Sequence, residues 1–84
     1  MAKVVMYTKA SCPYCNMAKD LLNAKQVTFE EIRADLDEQA LQDMMRLSNR
    51  RSVPQIFIND QSIGGYDDLA ALEKSGKLDE LLNT

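Results

Sequence analysis

Two cysteines three positions apart, Cys12 and Cys15, are the residues of this chain best suited to covalent chemistry. A thiolate attacks a disulfide sulfur, and a second thiol within reach can then displace the first, so such a pair supports thiol–disulfide exchange. The chain contains no histidine. That excludes hydrolysis with an imidazole base, a Cys2His2 zinc finger, and any histidine-ligated iron, copper or zinc centre built from this chain alone. A cysteine-held metal would need two more soft ligands, and there is no third Cys, so no metal site is expected. A purely structural disulfide is the remaining alternative, yet closing a four-residue ring contributes only about 2 kcal/mol.

The elements around the pair explain how a thiol could become reactive. Val4, Val5, Met6 and Tyr7 form an unbroken β-prone apolar run, which predicts a central strand covered on both faces. From Pro13 to about Ala24, Met17, Ala18, Leu21 and Leu22 make one helical stripe, with Lys19, Asp20 and Asn23 outside it. Pro13 suits the first helical position, which puts Cys12 at the cap. There its sulfur can accept hydrogen bonds from first-turn amides, beside a helix dipole worth about +0.5 charge. A free thiol of pKa ~8.5 is about 3% ionised at pH 7; lowering it by three units, worth ~4 kcal/mol, ionises it almost fully. Cys12 is the predicted nucleophile. Cys15 lies most of a turn further on, against the protein, where desolvation opposes ionisation, and is the predicted resolving thiol.

Val27 to Arg33 reads as a second strand through Val27, Phe29 and Ile32; its alternation slips, which an edge position or a bulge would explain. Asp35 and Asp37 are cap residues for a helix carrying Leu41, Met44 and Met45 and ending near Ser48-Asn49, with both methionines assigned to core packing. Gln55 to Ile58, the turn Asn59-Asp60 and Gln61 to Ile63 predict a hairpin. After Gly64-Gly65, Asp67-Asp68 cap a helix bearing Leu69, Ala70 and Leu72, and Leu78, Leu81 and Leu82 mark a final helical turn beyond Gly76. The order β-α-β-α-β-β-α implies an α/β protein, a four-stranded mixed β-sheet flanked by helices.

With 84 residues, 45% apolar and 27% charged, the expectation is one domain over 1–84. No apolar run exceeds four residues, the length of Val4 to Tyr7, against ~20 for a bilayer span, so a soluble cytoplasmic protein with no membrane partner is expected. Net charge −3 argues against general affinity for nucleic acid. An anionic ligand must therefore meet local positive charge, and Arg46, Arg50 and Arg51 supply one cluster.

Three separated blocks carry a family resemblance: Tyr7-Thr8-Lys9 leading into Cys12-Pro13-Tyr14-Cys15, then Ser52-Val53-Pro54-Gln55-Ile56-Phe57-Ile58, then Gly64-Gly65-Tyr66-Asp67-Asp68. In this order they resemble the glutaredoxin family, and over nearly the full length the short bacterial dithiol glutaredoxins of the glutaredoxin 3 group. The resemblance implies a thioredoxin-like fold and a glutathione-dependent thiol–disulfide oxidoreductase with a Cys12–Cys15 redox disulfide. Glutathione is then the reducing co-substrate and no cofactor is tightly bound. Glutathionylated or disulfide-containing proteins are the partners, ribonucleotide reductase among the acceptors it allows, with NADPH and glutathione reductase acting indirectly on a monomer.

The resemblance also assigns roles. A cis Val53-Pro54 bond turns the Val53 backbone toward the cysteinyl part of glutathione, next to Ser52, as in strand addition. The amides after Gly65, around Tyr66, take the γ-glutamyl carboxylate, and an aspartate of the pair Asp67-Asp68 holds its ammonium. Lys9 attracts the glycyl carboxylate and favours the Cys12 thiolate, Tyr14 forms a groove wall, and Arg50 is the cation carried over as a ligand contact. Arg51 departs from the threonine common in familiar relatives. Two alternatives belong to the same resemblance: a small redoxin served by thioredoxin reductase, and an iron–sulfur carrier in which Cys12 from two subunits and two glutathiones ligate a cluster.

Overall fold

Val4 to Tyr7 run through the middle of the molecule as β1 (Val4–Thr8), with Val4, Met6, Tyr7 and Thr8 buried. The structure is a computed structural model and describes residues 2–83. The further elements are α1 (Pro13–Ala24), β2 (Glu30–Arg33), α2 (Glu38–Ser48), β3 (Gln55–Ile58), β4 (Gln61–Gly64), α3 (Tyr66–Ser75) and α4 (Lys77–Leu82). They build one sheet of order β2-β1-β3-β4, in which β1 is parallel to β2 and antiparallel to β3, and β4 is antiparallel to β3.

Alternation along the central strands sends side chains to two layers. Val4, Met6, Ile56 and Ile58 meet Ala18 and Leu22 of α1, Leu69 of α3 and Leu78 of α4. Tyr7 and Phe57 face the other way, toward Ala40 and Met44 of α2, with their rings edge to face at 5.6 Å between centroids. Both methionines assigned to packing do pack there: Met44 is fully buried and Met45 lies against this cluster. Met17, counted in the α1 stripe, is instead 43% exposed.

The second strand is shorter than its sequence implies. It starts at Glu30, because the chain leaves α1 through the left-handed Gln26 (φ 60°), and Val27 and Phe29 then pack on the α1 side of the core without joining the sheet. The slipped alternation marks an edge strand, paired with β1 in unbroken register. Of the two expected caps of α2, only Asp37 acts, accepting from the Gln39 N–H at 3.0 Å. The Asp35 carboxylate instead accepts from the Ala10 N–H at 3.1 Å and from Arg33 at 2.7 Å, tying the segment before Cys12 to the end of β2. The Arg33 guanidinium beside Asp35 holds its carboxyl well below the usual carboxylate range. The hairpin turns at Asn59 and Asp60, both left-handed (φ 52° and 66°), as a two-residue turn between twisted strands requires.

Two charged clusters fix α1 in place. Glu31 of β2 accepts from the buried Thr8 hydroxyl and from the Lys19 ammonium, each at 2.6 Å. At the far end of α1, Lys25 forks between Glu73 of α3, at 2.8 Å, and Asp79 of α4, at 2.7 Å. Lys19 first, and Thr8 second, lower the Glu31 pKa from its ordinary value of 4.5. A depressed carboxyl contributes stability that is present above 4.5 and lost as pH falls through the folded value. With the carboxylate a third exposed, screening limits that contribution to about 1 kcal/mol or less. Glu31→Gln should therefore flatten the acid limb of stability: urea midpoints of the two proteins differ at pH 6 and converge only as pH falls through the lowered folded-state pKa of Glu31. Parallel acid limbs would refute this assignment.

Candidate active site

Cys12 stands at the N-cap of α1 in an extended conformation (φ −111°, ψ 103°), and Pro13 occupies the first turn. Ser11, left-handed at φ 55°, turns the chain into this position. The Cys12 sulfur accepts a hydrogen bond from the Cys15 N–H at 3.2 Å, and its carbonyl accepts from the Asn16 N–H at 3.1 Å. The two cysteines form a disulfide across Cα atoms 5.2 Å apart. Cys15 is 1% exposed and Cys12 6%, so of the pair Cys12 is the one nearer solvent. In the reduced state a thiolate at Cys12 would face this amide and the positive end of α1, both of which favour its charge.

Across from Cys12, its sulfur lies 3.9 Å from the Val53 carbonyl oxygen. A disulfide sulfur carries no proton, so this is a close approach and not a hydrogen bond. The Val53-Pro54 bond is cis. Val53 and Pro54 form one side of a groove of about 200 Å³, also lined by Tyr14, Arg50, Ser52, Gly65, Tyr66, Asp67 and Asp68. Tyr14 and Tyr66 stand with ring centroids 6.3 Å apart.

The end of this groove is built at the start of α3. Gly65 is the N-cap, so Tyr66, Asp67 and Asp68 are the first three helical residues; the aspartates do not cap the helix from outside, as their sequence suggests. Gly65 has no side chain to cap the first-turn amides, and only the returning half of a capping box is made: Asp68 Oδ2 accepts from the Gly65 N–H at 3.0 Å and from Arg50 Nη1 at 2.9 Å. Arg50 first, then the Gly65 amide, lower the Asp68 pKa. Asp67 is exposed and has no hydrogen-bond or ion-pair partner among the described residues. Gly64, left-handed at φ +116°, packs so tightly that a Cβ there would collide with the Asp68 carboxylate.

The groove thus gathers Tyr14, Arg50, Ser52, Val53, Pro54, Gly65, Tyr66, Asp67 and Asp68 beside the cysteine pair. Lys9 is not among them. It lines an adjoining groove of about 340 Å³ with Ala34, Asp35, Leu41 and Arg51, and the two grooves share only Ser52 and Val53. Arg51, the departure from the familiar pattern, therefore stands with Lys9 and apart from Arg50. Gly64 and Gln55 were not singled out as site residues by their sequence. The Gly-Gly pair signalled a turn without saying which glycine carries the positive φ, and Gln55 is a polar residue opening an otherwise apolar strand.

Comparison with known proteins agrees with this architecture. The sequence profile of the family described as Glutaredoxin matches residues 4–63. Glutaredoxin 3 of Escherichia coli K12 is 51% identical over 82 residues, 98% of this chain and 99% of that protein. A glutaredoxin of Neisseria meningitidis serogroup A is 51% identical over 84 residues, 99% of each chain. Among solved structures, glutaredoxin from Brucella melitensis superposes with a TM-score of 0.86 at 48% identity, covering 98% of this chain and 89% of that one. A buckwheat glutaredoxin–glutathione complex superposes with a TM-score of 0.89 at 26% identity, covering 98% and 77%. The four-stranded mixed sheet and its helices are the thioredoxin-like fold. With its redox cysteine pair at the start of α1, this thiol–disulfide oxidoreductase belongs to the glutaredoxin family.

Proposed function

We propose that the protein uses glutathione to reduce protein disulfides and glutathione mixed disulfides, with Cys12 as nucleophile and Cys15 as resolving thiol. The observation that carries this reading is the groove that leads from the start of α3 past the Val53 backbone to the Cys12 sulfur. Its far end offers what a γ-glutamyl head needs. The first amides of α3 suit the carboxylate, and the unpaired Asp67 carboxylate suits the ammonium. Asp68 is committed to Gly65 and Arg50, so it shapes this end and leaves Asp67 to meet the ligand. Lys9 receives the glycyl carboxylate from the adjoining groove. The buckwheat protein of the same fold, solved as a glutaredoxin–glutathione complex, supports the assignment.

The thiolate of Cys12 attacks the glutathionyl sulfur of a mixed disulfide; the protein thiolate leaves and takes up a proton, and a Cys12–glutathione disulfide forms. A second glutathione thiolate then attacks the glutathionyl sulfur, releasing glutathione disulfide and restoring Cys12. On a protein disulfide, Cys15 displaces the bound partner from Cys12, and two glutathiones reduce the Cys12–Cys15 bond. In this reading NADPH and glutathione reductase keep glutathione reduced, the protein works as a cytoplasmic monomer, and ribonucleotide reductase is among its acceptors.

The test is the electron source. NADPH oxidation is followed with a glutathione mixed disulfide, supplying either glutathione with glutathione reductase or thioredoxin reductase alone. Turnover is expected with the first and not the second; the reverse result would make the protein a redoxin of a different reductase.

A further inference from the structure

Gln55 is fully buried at the first position of β3, opposite Tyr7 of β1. A buried amide has two donor protons and an acceptor to satisfy, and the core of a sheet is a poor place for it. Its donors both go to one residue: Nε2 lies 2.9 Å from the Ser52 carbonyl and 3.3 Å from the Ser52 hydroxyl. The carbonyl can only accept, so the orientation of the amide is fixed by chemistry. Its acceptor, Oε1, is buried and without a hydrogen-bond partner among the described residues.

An amide that leaves its oxygen unpaired in the interior costs the fold free energy that an apolar side chain of the same length would not. What it supplies is local. The side chain bridges Ser52 to Gln55 and closes the turn between them, so that Val53, the residue after its anchor, is held with its carbonyl 3.9 Å from the Cys12 sulfur. Strand addition depends on such backbone groups being fixed before the ligand arrives, since ordering them on binding weakens affinity. Ser52 and Val53 are also the only residues common to both grooves, so one amide anchors the ridge between them.

We propose that Gln55 is a positioning residue for substrate: through Ser52 it holds the Val53 backbone ready to pair with the glutathionyl group, at a cost in fold stability. The inference rests on the glutathione reading above and names a residue outside the groove that the reading requires.

The test replaces Gln55 with methionine, which has similar length and no hydrogen bond to offer, and measures binding apart from chemistry. S-methylglutathione, which cannot react, is titrated into the reduced protein and its Kd followed by NMR. In parallel, urea midpoints and the pH profile of Cys12 alkylation by iodoacetamide are recorded. For Gln55→Met, binding is expected to weaken about tenfold, with the urea midpoint unchanged or raised and the alkylation profile unmoved. In turnover, KM rises and kcat changes little. Gln55→Leu is measured beside it, so that a folding defect peculiar to one variant does not decide the result. Unchanged binding in both variants overturns the inference, as does a loss of binding that merely tracks a loss of stability. No binding by the unsubstituted protein overturns the glutathione reading itself, a distinct outcome.

Discussion

Cys12→Ser is expected to lower turnover of a glutathione mixed disulfide by at least about a thousandfold, while Cys15→Ser keeps at least about a third of it. The asymmetry follows from geometry. A serine hydroxyl at Cys12 would still cap α1 through the Cys15 N–H, so the helix and the groove remain, but no thiolate is left to attack sulfur. Cys15 is 1% exposed and acts only on a bond already formed at Cys12; with small mixed disulfides, a second glutathione can do its work. The measurement is steady-state reduction of a glutathione mixed disulfide by the protein and the two variants. With a protein disulfide as substrate, Cys15→Ser is expected to stall as a covalent Cys12 adduct visible by mass. Equal losses in the two variants on the mixed disulfide would remove the division of roles.

The second large effect is expected at Gly64. Its φ of +116° lies where side chains are rarely found, and a Cβ would meet the Asp68 carboxylate and stand 3.1 Å from Arg50 Nη1. Asp68 cannot yield cheaply, because the same carboxylate oxygen holds the Gly65 amide and Arg50. Backbone strain and the lost cap together should make Gly64→Ala cost about 2–4 kcal/mol. For a domain of this size that is a fall in Tm of roughly 10–20 °C. The control is Gly76→Ala. Gly76 is also left-handed, at φ 83°, but nothing lies within 4 Å of a Cβ there, so strain acts alone and costs about 1 kcal/mol. Thermal melts of both variants, with S-methylglutathione affinity, separate the cases: Gly64→Ala should weaken binding and Gly76→Ala should not. Equal melts would show that the Asp68 contact is not a constraint.

What could be read from sequence was what short-range chemistry decides. Cys12 at the cap with Pro13 behind it, and the Asn59-Asp60 turn, depend on neighbours a few residues away, and both stand as expected. Residues whose surroundings come from distant segments were harder. Val27 and Phe29 have strand-like side chains, but their apolar groups are satisfied by the α1 layer. Asp67 and Asp68 look like caps until the glycine before them is seen to be the N-cap and Asp68 the residue that reaches back. Asp35 was drawn from its expected helix by Ala10, 25 positions earlier, and Arg33. Lys9 and Arg51 share a groove because β1 pairs with β3, which sets the end of β1 beside the start of β3. The role of Gln55 depends on the shape of a turn that no periodicity describes.

The fork at Lys25 makes the protein a small lever. α1 and α3 both point their N-termini at the groove beside Cys12, and Lys25 pins the opposite end of α1 to Glu73 near the end of α3 and to Asp79 in α4. Twelve residues of helix span about 18 Å, so a tilt of only about 3° about that pin carries the Cys12 end through about 1 Å. Displacements of that size are large on the scale of reacting atoms. The Cys12 end of the groove is thus coupled, through the rigid length of α1, to three charges at the other pole of the molecule.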